Sequence, residues 1–328
     1  LPDIVSTTFL HQIYPDEFVN MEDVVDLSKF NQSALNIVGK SYSSDAITGI
    51  TEQFTTTCVF YNKDAFAAAG IEAPTPENPW TWEQLYENAA VLQEKGGVKY
   101  GFAADVSRAR YDIMMYANGG SLVEKDGDSF KVTVNSPENI ATLEWIQKLA
   151  TEDGVSPEGL TAADADTMFQ SGQLAMYTSG PWNINGLTQL GLNYGITAIP
   201  GGSDGAYSPE GGCSYMLTKG ADEQTKEAVY KFMAYWLSDD VLKEWSNRNG
   251  FPVWSYSVLE DADIQNNEIL SAVSKASEIG RDWHLGLECG SMIDNDVMKP
   301  MMEKILSGAD VTQSVQEASD ALDAVISD

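Results

Sequence analysis

Residues 57–62 read Thr-Cys-Val-Phe-Tyr-Asn, and residues 81–94 read Thr-Trp-Glu-Gln-Leu-Tyr-Glu-Asn-Ala-Ala-Val-Leu-Gln-Glu. The first is a short run of apolar, β-branched and aromatic side chains, the pattern of a buried strand. The second sets Thr81 before an apolar-periodic stretch with Gln84 three residues on, a capping box that opens a helix over Trp82–Glu94. Strands alternating with helices predict an α/β architecture, and the pattern continues outward. Asp3–Ser6 and Lys99–Ala104 read as strands, and Tyr111–Asn118 as a helix stopped by Gly119-Gly120. Lys131–Val134 reads as a short strand, followed by Ser136 as a cap and Pro137 at the first helical position. That helix carries Ile140, Leu143, Ile146 and Leu149 on one face. Thr161–Ser171 is a predicted helix, Leu174–Thr178 a strand, Trp182–Leu190 a helix opened by Gly180-Pro181, and Asn193–Ile199 a strand. Beyond Gly220 the reading is mostly helical: Gln224–Leu237, Asp239–Asn249, Asn267–Ile279, Met292–Leu306 and Thr312–Ile326. Residues 200–212, with five glycines and two prolines, read as the strongest linker.

The 328 residues suffice for two domains at roughly 100–200 residues each. No apolar run approaches the roughly 20 residues of a membrane helix. Asp and Glu number 49 against 19 Lys and Arg, a net charge of −30 that repels nucleic acid and anionic lipid. The acids are dispersed, as on a solubilised surface. Three cysteines (Cys58, Cys213, Cys289) and two histidines (His11, His284) match no zinc or redox spacing, so no metal and no cofactor is expected.

The sequence lacks a P-loop and a His-Glu-x-x-His motif, and its Gly-x-Ser-x-Gly string, Gly201-Gly202-Ser203-Asp204-Gly205, falls in the Gly-rich stretch read as a linker and not at a strand-to-helix elbow. A glycosidase pair among so many carboxylates stays open on composition alone. Asp164 and Asp166 lack the glycine and terminal Glu of a calcium loop and read as solvated helix surface. Aromatic residues carry more information, because sugars offer a C–H face for stacking and hydroxyls at the rim. Trp145, Trp236 and Trp245 sit at helical spacing among apolar neighbours and Trp82 sits just inside a capped helix, all four core readings. Trp182 follows Gly180-Pro181 at an element end; Phe251 and Trp254 lie in a Pro-containing loop and Trp283 in another. These read equally as core or as site.

The ordered motifs Tyr61-Asn62-Lys63-Asp64-Ala65-Phe66, Ala69-Gly70-Ile71 and Pro79-Trp80-Thr81-Trp82-Glu83-Gln84-Leu85 resemble the extracellular solute-binding proteins of family 1, the maltose-binding-like receptors of carbohydrate ABC importers. Gly119-Gly120, Asn135-Ser136-Pro137-Glu138, Gly172-Gln173-Leu174-Ala175-Met176, Gly180-Pro181-Trp182, Asn193-Tyr194-Gly195 and Ile199-Pro200 follow in the same order. The resemblance implies a two-lobed type II periplasmic-binding-protein-like fold joined by crossover strands. The crossovers are expected near Gln53–Thr57, Pro209–Cys213 and Ser257–Asp263. Residues 1–53 and 213–258 would then form the first lobe, 57–209 the second, and 262–328 the second lobe with C-terminal helices. It also implies that the N-terminal part of the first lobe is missing, because the family carries a strand–helix–strand segment ahead of the Pro2–Val5 strand. Trp182 matches the family's stacking residue, and Arg108, Arg110 and Tyr111 fall where relatives place ligand contacts. Gln53 and Phe54, Thr7, Ser214, Asp294 and Asn295 are further carry-overs, beside Phe251, Trp254 and Trp283. The function implied is capture of a sugar, an oligosaccharide above all, by a monomeric protein that delivers it to membrane permease subunits. It would act as a lipoprotein on the outer face of the cell membrane or in the periplasm, without enzymatic activity. A carbohydrate-active enzyme and a receptor for an acidic non-sugar, held by Arg108 and Arg110, are the alternatives.

Overall fold

The computed structural model describes residues 2–8, 10–41, 44–75, 78–127, 129–158, 160–283, 285–287 and 290–327. His284 and Cys289, counted above among the histidines and cysteines, lie outside the described residues. The ten strands among the described residues are β1 (Ile4–Thr7), β2 (Gly49–Thr56), β3 (Cys58–Asn62), β4 (Tyr100–Ala103), β5 (Val123–Asp126), β6 (Ser129–Val132), β7 (Leu174–Ser179), β8 (Tyr194–Thr197), β9 (Ser208–Leu217) and β10 (Gly280–Asp282). They fall into two compact units. Unit 1 holds residues 1–56, 210–278 and 282–288; unit 2 holds 57–209, 279–281 and 289–328.

In unit 1, β9 is the shared partner of β1 and β2, both antiparallel to it. The β2 ladder slips between Thr51 and Gln53, a bulge that brings the Gln53 carbonyl against Gly212. A Cβ on Gly212 would sit 1.8 Å from that oxygen, and its φ is +152°, so glycine is required at this point. The stretch read as a linker, 200–212, is therefore irregular only at its start; from Ser208 it is strand. Gly202 likewise serves close backbone approach, a Cβ there falling 2.4 Å from the Ala117 carbonyl oxygen. The core of unit 1 gathers Phe30, Ile50, Phe54, Leu217, Met233, Trp236, Val253, Trp254, Ile264 and Leu270. Trp236 donates its indole N–H to the Thr51 carbonyl at 2.9 Å, so its polar edge is satisfied.

Ile264 and Leu270 decide a boundary. Residues 262–278 were expected beyond a third crossover at Ser257–Asp263, in the second lobe. The structure groups them with unit 1, because the helices Ala262–Gln265 and Glu268–Ser277 bury those two side chains in its core. The chain leaves unit 1 only after Glu278.

In unit 2 the sheet order is β4-β7-β3-β8, with β4 parallel to β7 and β3 antiparallel to both its neighbours. β5 and β6 form a separate hairpin. All six residues of β7 are buried, as a strand covered on both faces requires. The capping box is present: Thr81 accepts from Gln84 N at 3.2 Å, and Gln84 accepts from Thr81 N at 2.9 Å. Ser136 caps the helix Pro137–Thr151 by accepting from Asn139 N. The single helix expected over Met292–Leu306 is instead broken by a π-helical turn at Ile293–Met298. Pro300 just beyond it has no N–H for a regular i to i−4 bond.

Candidate ligand site

Two elements of unit 2 bring the sharpest sequence candidates together. The helix Arg108–Ala117 begins after Ser107, and the turn ahead of it is fixed by Asp105, whose Oδ1 accepts from Ser107 N at 2.7 Å. Oδ2 of the same carboxylate pairs with Arg110 Nε at 3.0 Å. The Arg110 guanidinium then lies over the Trp182 ring, 5.2 Å from its centroid, a cation–π arrangement. Trp182 stands in the short 3-10 turn Pro181–Asn183 that follows β7. A Cβ on Gly180 would come within 2.0 Å of the indole's six-membered ring, so the ring rests on the glycine's backbone. Trp182 is nevertheless 45% exposed. Arg110 is buried, and its Nη1 has no hydrogen-bond partner among the described residues.

Beside this pair, Asn183 Nδ2 donates to Asp166 Oδ1 and to Ser179 Oγ, each at 2.7 Å. Burial raises the Asp166 carboxyl above the usual range, against the pull of Arg110. Burial also lifts the Tyr177 hydroxyl, with Asp166 adding to the effect, and Tyr177 stacks on Phe169 at 4.4 Å. The expectation that Asp164 and Asp166 are solvated surface divides here. Asp164 is exposed and closes a capping box with Thr161, whereas Asp166, two residues on, turns inward to this cluster.

Arg108, Tyr111 and Asp294 form a different, sealed group. Arg108 is fully buried and pairs with Asp112 at 3.0 Å, while its backbone N–H donates to Asp294 Oδ1 at 3.1 Å. Asp294 also pairs with Lys299 at 3.1 Å. Burial pushes the Asp112 carboxyl up to about 7, although Arg108 draws it down, and burial raises the Tyr111 hydroxyl well above its ordinary value. With no exposed surface, Arg108 and Tyr111 hold the helix in place and do not present donors to solvent. Asn295 is exposed and accepts from Lys299 Nζ at 2.9 Å.

The candidates of unit 1 scatter. Thr7 faces Ser214 across the β1–β9 ladder, and Gln53 faces Cys213 across β2–β9. Ser214 is buried and donates to the Val38 carbonyl. Phe54, Phe251 and Trp254 are buried among apolar side chains. Trp254 lies 4.5 Å from Phe30, and Phe251 stacks on Trp245. A Pro-containing loop looks like a site in sequence, but this one folds inward to close the unit. Trp283 is half-buried, and its backbone N–H donates to the Glu210 carbonyl at 2.7 Å.

Glu210 itself was not singled out. It is buried on β9, its Oε1 has no hydrogen-bond partner among the described residues, and Asp282 lies in the same field. Burial first, then Asp282, pushes it up to about 8 from 4.5. A carboxyl raised on folding binds more protons in the native state. Its contribution is therefore complete below about 4.5 and is lost as pH rises through about 8. Melting temperatures across that range should fall more steeply for the native chain than for Glu210→Gln; parallel curves would discard the assignment.

Cys58 is buried and Cys213 half-buried, and both are free thiols. Among the described residues no group of three or more metal-ligating side chains occurs, and no helix is long and apolar enough to cross a membrane.

Residues 2–272 match the bacterial extracellular solute-binding proteins. The chain belongs to that family. It is 27% identical over 237 residues to the sn-glycerol-3-phosphate-binding periplasmic protein of Shigella dysenteriae, a match covering 68% of this chain and 53% of the relative. The chain thus spans about half the length of the relatives it matches. Among solved structures, the glycerophosphocholine-bound UgpB protein of Mycobacterium tuberculosis superposes with a TM-score of 0.85 at 20% identity, covering 100% of this chain and 84% of that one. The GacH receptor of Streptomyces glaucescens, studied with acarbose, gives 0.83 at 21% identity and the same coverage. A substrate-binding protein of Listeria monocytogenes in complex with cycloalternan gives 0.80 at 22%, covering 99% of this chain and 85% of that one. The fold is that of the type II, two-lobed periplasmic binding proteins.

Proposed function

We propose that this solute-binding protein captures a carbohydrate, an oligosaccharide above all, and hands it to the permease subunits of an ABC importer outside the cytoplasmic membrane, either lipid-anchored or periplasmic. The observation that carries the reading is Trp182. It is a large ring held on the Gly180 backbone, 45% exposed, beside a buried arginine with a donor to spare. A ring of this kind takes the C–H face of a pyranose, while Arg110 Nη1 and the Asp166 carboxyl supply the directional bonds that hydroxyls need. The names of the acarbose- and cycloalternan-bound neighbours support a sugar; those of the glycerol-phosphate relatives support a polyol ester. The protein works as a monomer, and no catalytic step is assigned to it.

Calorimetry of the chain against a saccharide panel tests the reading. Trp182→Ala should weaken binding by about 1–3 kcal/mol, as loss of a large desolvated anchor does. Unchanged affinity would remove Trp182 from the site. Prolonged incubation with the bound oligosaccharide should leave its linkages intact; cleavage that stops on replacing one carboxylate would favour the enzyme alternative.

A further inference from the structure

The carbohydrate reading leaves open whether the ligand is charged, and the Shigella dysenteriae relative named above carries glycerol phosphate in its name. The answer, which rests on the Trp182 site being the ligand site, lies in the charge balance of that site. Arg110 is its cation, and that charge is matched by Asp105 through a 3.0 Å ion pair with both side chains buried. The charged groups acting on Asp166 are Arg110 and Asp105, so two carboxyls share one guanidinium. Arg108, the other arginine of the same helix, is sealed away on Asp112. A phosphate brought onto Trp182 would meet at least as much negative as positive charge in a partly desolvated place, where like-charge contacts are strongly unfavourable. A neutral hydroxyl meets no such opposition. It can accept from Arg110 Nη1, which has no protein partner among the described residues, and donate to Asp166.

We propose that Asp105, by clamping and neutralising Arg110, makes the site selective for a neutral hydroxyl-rich ligand and turns away phosphate esters and uronates. Asp105 is then a specificity-determining residue. It sets the charge of the arginine's surroundings and aims the guanidinium at the indole without needing to touch the ligand. Sequence similarity alone points toward glycerol phosphate; the residues around Trp182 point away from it.

The test is calorimetry on the full chain with neutral maltooligosaccharides, sn-glycerol 3-phosphate and glucuronate, at low and at moderate salt. The native chain should favour its best neutral ligand over either anion by about a hundredfold or more, the order expected for an opposed charge in a partly desolvated site. Asp105→Asn keeps the acceptor for Ser107 N but leaves the guanidinium unmatched. It should move the anion-to-neutral ratio by about tenfold or more toward the anions, with the gain screened by salt. If that variant does not fold, Asp166→Asn removes one carboxylate from the same cluster and should move the ratio the same way. Native binding of glycerol phosphate as tight as of any sugar, or a folded Asp105→Asn with an unmoved ratio, overturns the proposal. The two levels separate cleanly. Glycerol phosphate binding that Trp182→Ala weakens overturns neutrality alone, whereas ligand binding indifferent to Trp182→Ala overturns the site and this inference with it.

Discussion

Replacing Arg108 by alanine is expected to destabilise unit 2 by about 3–5 kcal/mol at neutral pH, the range for breaking a buried ion pair from one side. Arg108 and Asp112 have essentially no exposed side-chain surface and meet at 3.0 Å. Removing the guanidinium leaves a buried carboxyl whose counter-charge is gone, and a void where the long side chain lay. The carboxyl's escape is protonation, toward which burial already pushes it, so Asp112 will be neutral in the variant but still poorly partnered. Replacing both partners with apolar side chains, as Arg108→Met with Asp112→Leu, should recover much of the loss, because neither charge then needs solvating. Denaturant titration of native, single and double variants measures this, with unit 2 followed separately because a two-unit chain need not unfold in one step. A single variant within about 1 kcal/mol of native, the value of an ordinary exposed pair, would show that the pair is not sealed. Ligand affinity of the folded single variant should stay near native, since a fully buried arginine has no donor at the surface. A large loss of affinity would restore the ligand role that the sequence implied for Arg108.

That contrast shows what sequence could and could not convey. Arg108 and Arg110 are two positions apart on one helix, and nothing in their spacing says which is sealed. The decision lies in Asp105 and Asp112, one in the turn before the helix and one a turn along it, and both were simply acids among 49. Asp166 was hidden for the same reason: in so acidic a chain, one inward carboxylate has no compositional mark. A signal did exist in its position two residues after Asp164, which caps the helix, since Asp166 then falls on a different face. Local rules were legible. Thr81 with Gln84 and Ser136 with Pro137 each specify their own cap, and both are present. Apolar runs such as 58–62 and 174–179 name strands because burial on both faces demands uninterrupted apolar sequence. β9 was missed by local reading because its first half, Ser-Pro-Glu-Gly-Gly, carries turn residues, and only the register against β2 explains Gly212. The same limit misplaced the third crossover, since Ile264 and Leu270 look alike whichever core they enter.

Trp254→Ala is expected to cost unit 1 about 3–5 kcal/mol, the usual range for truncating a buried aromatic, and to leave ligand affinity unaltered. Phe251 and Trp254 looked in sequence as eligible for a sugar platform as Trp182: aromatic rings in a loop near proline. The structure separates them by surroundings. Trp254 is 3% exposed, packs 4.5 Å from Phe30, and accepts through its carbonyl from Asn31 N at 2.8 Å. It therefore ties the loop after the helix Asp239–Asn249 to the segment that opens the helix Gln32–Val38. Truncation leaves a cavity lined by the Phe30 ring, which a relaxed core only partly refills. A fall in melting temperature on the order of ten degrees follows for a unit of this size. The paired measurement gives the result its meaning. Trp182→Ala should reduce affinity with little change in melting, because a ring 45% exposed contributes little to the core, whereas Trp254→Ala should do the reverse. If Trp254→Ala lowered affinity as much as Trp182→Ala at a temperature where both are folded, the ligand platform would extend into unit 1, and burial would have been the wrong guide to which tryptophan faces the sugar.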